Sequence, residues 1–301
     1  MQRTVFAAFL GAVIIIMGVT ACSKESEQQE IYYTPQPTET PEWTAPVVHD
    51  QYAVLVHGSQ GFTNYRHLAD VLSVYQLLRK NGFDDDHIIL IIDKALANDT
   101  QNDEPGIIRI STDDKDLLSG SDGLHQAVVD YDAADLTPAD ISDILLEVGS
   151  PTRHILLYWS GHGVKGKFRW RDTNEAFTAD RMRQTVEQMQ YQKLFVITET
   201  CYGGSVIAQL EGLTDVLAIS AADATEESWA DNWNGSMLVW MCDTFTKNLV
   251  NFLSTQPSGT YQELYQYTST QTPNSHVTMV NDSNFGNISV DSPSEFFTKQ
   301  Q

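Results

Sequence analysis

The sequence predicts an α/β domain built on a mainly parallel central sheet with helices on both faces. Two observations carry the prediction. Short apolar runs that stop abruptly at glycine or small polar residues read as strands buried on both sides. Between them lie segments with apolar residues at helical spacing, and this alternation is how parallel strands are joined. The first run is residues 52–57 (YAVLVH), ended by Gly58. Residues 67–80 follow as a helix, with Leu68, Val71, Leu72, Tyr75 and Leu78 on one face and Asn81-Gly82 as the stop. Residues 88–92 read as a second strand. After a long polar stretch containing Pro105, Thr137-Pro138 opens a helix through Leu146. Residues 154–159 (HILLYW), 194–198 (LFVIT) and 216–220 form the third, fourth and fifth strands, and residues 179–190 a helix. Residues 236–253 are expected to form one long helix. No internal repeat is present.

The chain has 301 residues and 42% hydrophobic content, enough to bury a proper core in one large domain. Its 18 Lys plus Arg against 40 Asp plus Glu leave a net charge of −22. That charge repels nucleic acid and anionic lipid headgroups, so neither is an expected partner. Its ordinary use is a solvated acidic surface.

The first residues have the layout of an export signal: Arg3, an apolar run over 5–19, then small residues before a cysteine. Val19-Thr20-Ala21-Cys22 resembles the lipobox of bacterial lipoproteins, in which the cysteine is acylated and becomes the first mature residue. Ser23 then favours sorting to the outer membrane. The expected organisation is a signal peptide over 1–21, a lipidated N-terminus and flexible tether over 22–50, and a peptidase domain over 51–301. The tether is polar and proline-bearing, without sustained periodicity. With Cys22 lipidated, only Cys201 and Cys242 remain as thiols, so no disulfide framework holds the fold. A single Cys201–Cys242 bridge stays open as an alternative to free thiols.

Open parallel sheets bind their substrates at the carboxyl ends of the strands. The residues there are informative. Gly58-Ser59 follows the first strand, Ser160-Gly161-His162-Gly163 the third, and Glu199-Thr200-Cys201-Tyr202-Gly203-Gly204 the fourth. A thiol attacks an amide as thiolate, and needs an imidazole to take its proton and return it to the leaving amine. His162 and Cys201 lie at the ends of successive strands and form that pair. Glycines around each permit tight turns and bring backbone N–H groups toward an oxyanion. A buried cysteine or a lone histidine is usually structural. Their joint placement is what points to chemistry.

The segment 52–93 with its Asn64-Tyr65-Arg66-His67 motif, the Ser160-Gly161-His162-Gly163 motif and Glu199-Thr200-Cys201 resemble the legumain-type cysteine peptidases of family C13. That family includes the catalytic subunit of the GPI-anchor transamidase. The likeness runs from about residue 52 to 297, and the closing stretch 276–297 is more similar to the transamidase subunit than to legumain. The resemblance implies a caspase-like three-layer fold and hydrolysis or transfer at asparaginyl bonds. By the same resemblance His162 and Cys201 are the catalytic dyad, and Asn64 orients the histidine. Gly163 and Cys201 offer oxyanion N–H groups, and Arg66, Glu199 and Ser228 line the pocket for the residue before the scissile bond. Such a set holds both donors and acceptors for an amide side chain.

Two departures stand out. Gly161 occupies the place of an acidic residue in legumain, as it does in the transamidase. Near Asn234 and Gly235 no carboxylate matches a further acidic pocket residue. No long C-terminal extension is present, so a removable inhibitory domain is not expected.

Other patterns were weighed. Residues 161–167 (GHGVKGK) satisfy most of a P-loop, but Phe168 replaces the magnesium-binding hydroxyl and no helix follows. The acidic patches Asp84-Asp85-Asp86 and Asp113-Asp114 lack calcium-loop spacing, and the histidines lack zinc spacing, so no metal or cofactor is expected. No G-x-S-x-G elbow is present. Trp229, Trp233 and Trp240 line a substrate cleft or, as their more ordinary use, pack in an aromatic core. The expected function is a cysteine endopeptidase acting on extracytoplasmic proteins or peptides. Transamidation is its nearest rival, and a non-catalytic binding lipoprotein is the alternative from another class.

Overall fold

Each of the five apolar runs becomes a strand of one seven-stranded sheet. The computed structural model describes residues 50–120, 123–282 and 284–300; the expected signal segment, Cys22 and the tether up to residue 49 lie outside them. In chain order the strands are β1 (Asp50–His57), β2 (Ile88–Ile92), β3 (Tyr131–Asp132), β4 (Arg153–Ser160), β5 (Gly163–Val164) and β6 (Lys167–Arg169). They continue with β7 (Ala176–Thr178), β8 (Lys193–Glu199), β9 (Val216–Ser220), β10 (Ala230–Asn234), β11 (Val239–Asp243) and β12 (Thr278–Asn281). The helices are α1 (Tyr65–Lys80), α2 (Pro138–Val148), α3 (Ala179–Gln188), α4 (Gly204–Ile207), α5 (Thr244–Thr255), α6 (Tyr261–Gln271) and α7 (Ser294–Phe297).

The sheet order is β12-β9-β8-β4-β1-β2-β3, parallel throughout except for the antiparallel edge strand β12. Because successive side chains point to opposite faces, its central strands feed two cores. Ala53, Leu55, Leu156, Tyr158, Phe195 and Ile197 face one side, with residues of α1, α5 and α6 in the same cluster. Val54, Val56, Ile155, Leu157, Trp159 and Val196 face the other, with residues of α2, α3 and α4. The α/β expectation therefore holds, with helices covering both faces as a buried parallel sheet requires.

Local chemistry sets the ends of these elements. Thr137 caps α2 with a capping box to Asp140 and Pro138 at its first turn, and Thr260 and Glu263 do the same for α6. The T-x-x-E spacing at Thr260–Glu263 is the local signal for α6. The long helix expected over 236–253 is a correction. Residues 239–243 are strand β11, paired with β10, and α5 starts only at Thr244. The run MLVWMC is apolar enough to suit either period. Its strand period shows in Val239 and Met241, both buried, flanking the 41%-exposed Trp240; pairing with a segment about ten residues upstream decides the matter. Residues 163–169 form the β5–β6 hairpin, which a P-loop could not do.

Phe195 in β8 is fully buried and packs edge-on against Tyr261, Phe296 and Phe297. Phe195→Ala should cost about 3–5 kcal/mol of stability, read as a lower urea midpoint with an unchanged m-value.

Candidate active site

The strand order reverses between β1 and β4, since β2 and β3 lie on one side and β8 and β9 on the other. A crevice opens at such a switch point beyond the carboxyl ends of the strands. The turns after β1, β4 and β8 meet there. Gly58 N–H donates to the Ser160 carbonyl at 2.8 Å, and Gly161 N–H to the Glu199 carbonyl at 3.1 Å. Ser160 and Glu199 are cross-strand partners, so His162 and Cys201 each stand two residues past one register pair. Contact is close enough that a Cβ on Gly163 would lie 2.1 Å from the Cys201 carbonyl oxygen. Only glycine fits.

His162 is held from several directions. Its Nε2 lies 2.8 Å from Asn64 Oδ1. Its backbone N–H donates to Ser59 Oγ at 3.3 Å, and its ring meets the edge of His67 at a centroid distance of 4.9 Å. Asn64 Nδ2 in turn donates to the Gln60 carbonyl and to Asp172 Oδ2, both at 2.8 Å. Burial, with help from the Arg66 guanidinium, holds the His162 imidazole below its ordinary range. The imidazole is therefore neutral near neutral pH.

Burial pushes the Cys201 thiol up, so it too rests protonated. Its Sγ lies 3.9 Å from the Ser228 carbonyl and 3.8 Å from the Ser228 hydroxyl. Tyr202, directly after it, has φ of 55° and gives its N–H to the Glu226 carbonyl at 2.7 Å. A left-handed tyrosine costs about 1 kcal/mol or more. Such a turn marks the loop after β8 as tightly determined. Cys242 is also a free thiol, so the bridge held open on sequence grounds is absent.

Of the remaining expected pocket residues, Ser228 touches Cys201 and Glu199 is its electrostatic neighbour, while Arg66 lies against Asp243 and near His162. Glu199 is buried, with Oε2 accepting from the Thr246 N–H and hydroxyl while Oε1 has no hydrogen-bond partner among the described residues. Burial and the neighbouring Asp243 raise its carboxyl well above the usual range. Arg66 donates through Nε to Asp243 Oδ1 at 3.0 Å. Asp243, the last residue of β11, thus sets a carboxylate against Arg66; the expectation of a helix over this segment did not point to it. Ser59, His67 and Asp172 were also missed, because each acts through partners remote in sequence. Trp229, Trp233 and Trp240 are corrected from core to surface, each between 41% and 51% exposed.

A cleft of about 690 Å³ opens on the Asn64 side of His162, bordered by Gln60, Asp93, Arg169, Arg171 and Asp172. Away from it, Asp223, Glu226 and His276 bring three ligand-type atoms within 4.8 Å of one another. Glu226 and His276 already pair there, with Nδ1 3.0 Å from Oε2.

Residues 51–295 match the family model of the Peptidase C13 family. The chain belongs to that family. This C13 chain is 29% identical over 244 residues to legumain of Bos taurus, covering 75% of itself and 55% of legumain. It is 29% identical over 222 residues to a Drosophila melanogaster protein assigned as a GPI-anchor transamidase, covering 68% and 60%. A crystal structure of caspase-1 from Spodoptera frugiperda superposes with a TM-score of 0.47 at 11% identity, covering 78% of this chain and 88% of that one. The C13 chain thus spans little more than half the length of its curated relatives.

Beside this site, His57 at the end of β1 is fully buried, and burial with the nearby Arg171 pushes it down to about 3. Its Nδ1 accepts the Asp93 N–H at 3.3 Å. Unfolded, it takes up a proton near 6.5; folded, only near 3. Its contribution to stability is therefore whole above pH 6.5 and is lost as pH falls from there toward 3. The stability advantage of the native chain over His57→Gln should shrink by about 1.4 kcal/mol per pH unit through that window, measured by urea unfolding at a series of pH values.

Proposed function

We propose that this C13 chain is a cysteine endopeptidase that cleaves after Asn, or Asp, through a Cys201–His162 dyad. The observation that carries the reading is the placement of His162. Its ring is oriented by Asn64 on a turn packed against the Cys201 backbone, and both groups rest neutral. Cys201 Sγ attacks the scissile carbonyl carbon while His162 takes the thiol proton. The C–N bond breaks as His162 returns that proton to the leaving amine, leaving a thioester on Cys201. Water, deprotonated by His162, then attacks the thioester and releases acid and free thiol. Backbone N–H groups of Gly163 and Cys201 face the oxyanion. Arg66 as donor, Glu199 Oε1 as acceptor and Ser228 as either suit an asparagine amide, and Asp243 steadies Arg66.

Transamidation uses the same thioester with an amine in place of water. Gly161 before His162, a departure from legumain shared with the transamidase pattern, favours this second reading. The purified protein and Cys201→Ala, incubated with peptides carrying Asn, Asp or Gln before the scissile bond, separate the readings by mass spectrometry. The expected result is cleavage after Asn, abolished in the variant, and ligated product on adding hydroxylamine if transfer operates. Equal turnover by both proteins removes the nucleophile. Absence of Cys201 labelling by a thiol-reactive peptide probe leaves a binding protein.

The Val19-Thr20-Ala21-Cys22 pattern supports anchoring of the mature chain by acyl groups on Cys22, in the outer membrane of a bacterial envelope. Incorporation of an alkyne fatty acid into the wild type, lost in Cys22→Ser along with membrane retention, is the expected outcome. Retention of label in the variant would exclude that anchor.

A further inference from the structure

We propose that Asp172 is the positioning residue of this site: it fixes the Asn64 amide so that His162 carries its proton on Nε2 and presents Nδ1 as the basic nitrogen. The inference rests on His162 being the base. It goes beyond the Cys201, His162 and Asn64 set by naming the group that orients the orienter.

The hydrogen-bond inventory decides the geometry. A carbonyl and a carboxylate only accept, so the Gln60 carbonyl and Asp172 Oδ2, each 2.8 Å from the Asn64 side chain, demand its NH₂ group. The amide oxygen must then face His162 Nε2, 2.8 Å away. An oxygen there accepts, so Nε2 is the protonated nitrogen and Nδ1 keeps the lone pair. Flipping the amide would set two acceptors against its oxygen inside a buried site, since Asn64 is 7% exposed.

A second observation concerns the backbone that delivers Asp172. Arg171 and Asp172 have φ of 48° and 54°, two successive non-glycine residues in the left-handed region. Such strain persists only where the surroundings over-determine it, and it gathers at functional sites. The surroundings here are the first-strand loop itself. Arg171 donates its N–H to the Gly58 carbonyl at 2.7 Å and Nη2 to Gln60 Oε1 at 3.0 Å, and Nη2 lies 3.8 Å from Asp93 Oδ2. Asp172 Oδ1 is 3.7 Å from Arg169 Nη1, leaving Oδ2 to Asn64. The strained turn is thus bolted to the loop that carries Asn64. A turn serving chain reversal alone would take glycine at either position.

Charge follows from the same placement. Arg66 and His67 from α1, Arg169 from β6, Asp243 from the end of β11 and Asp172 from the turn surround the His162 ring. Arg66 and Arg169 favour the neutral imidazole; Asp172 and Asp243 favour the cation.

Two variants of the full-length protein test this. Asp172→Asn keeps an acceptor and tolerates a left-handed φ, but removes the charge; Asp172→Gly removes both and relieves the strain. Long-range ¹⁵N–¹H spectra of histidine-labelled protein should show His162 as the Nε2–H tautomer in the wild type and as a mixture in Asp172→Gly. On an asparaginyl peptide, Asp172→Gly should lose on the order of tenfold in kcat with KM little changed, while its thermal midpoint holds or rises. Asp172→Asn should recover most of that rate and move the acid limb of kcat/KM to lower pH. A wild-type Nδ1–H tautomer overturns the inference. So does an Asp172→Gly variant with unchanged tautomer, rate and acid limb. Should the wild type turn over no peptide, the enzyme reading fails, and the spectra still decide the role of Asp172.

Discussion

The parallel pairing of β1, β4 and β8 is the constraint on which the rest of this structure depends. Two neighbouring parallel strands end at the same edge of the sheet, so whatever follows each strand is delivered to the same place. Gly58 and Ser59, Gly161 and His162, and Thr200 and Cys201 arrive side by side for that reason. The register adds the precision. Once Ser160 faces Glu199, a two-residue step on each strand sets imidazole and thiol on adjacent turns. The glycines are consequences of that crowding. A Cβ at Gly58 would meet the Trp159 indole at 2.6 Å, and one at Gly161 would lie 3.2 Å from Gly58 Cα.

Beneath the turns lie three buried acidic side chains, Asp70, Glu199 and Asp243. Asp70 accepts from the Ser160 hydroxyl and the Asp243 N–H, both at 3.0 Å, and burial with the neighbouring Asp243 and Glu199 raises its carboxyl well above the usual range. Arg66, 16% exposed along its side chain, pairs with Asp243. Burying such groups costs more than their mutual attraction returns unless geometry and hydrogen bonding are good. A core built for stability alone would use apolar residues here. The cluster instead holds Glu199 and Arg66 in one orientation beneath the turns, while burial of the turns themselves holds the His162 imidazole down and the Cys201 thiol up.

The β10–β11 hairpin frames the other side of that pocket. Ser228 lies just before β10, and Asp243 closes β11 opposite Ala230. One short ribbon thereby brings a hydroxyl to Cys201 and a carboxylate to Arg66. The inner row, Val239 and Met241, joins the core cluster. The outer row holds Trp233 and Trp240 in edge-to-face contact at 5.2 Å. Their exposure follows from the period of two: a strand with one face buried must present the alternate side chains outward.

Much of this was legible in the sequence, because its signals are local. Continuous apolar runs stop where strands stop, helix caps are written in T-x-x-[DE], and the Asn64-Tyr65-Arg66-His67, His162 and Cys201 motifs each sit within a few residues of a strand end. Those features determined the layered α/β fold and the family, and they singled out Asn64, His162 and Cys201 as candidates for the site. Tertiary structure alone decided the relations. The segment 236–243 could have been helix or strand until its partner β10 was in place, so Asp243 stayed hidden. Asp172, 108 residues from Asn64, carries no motif. The physical reason is the range of the interactions: propensity and periodicity act over a few residues, whereas hydrogen bonds between remote side chains exist only after the chain has folded.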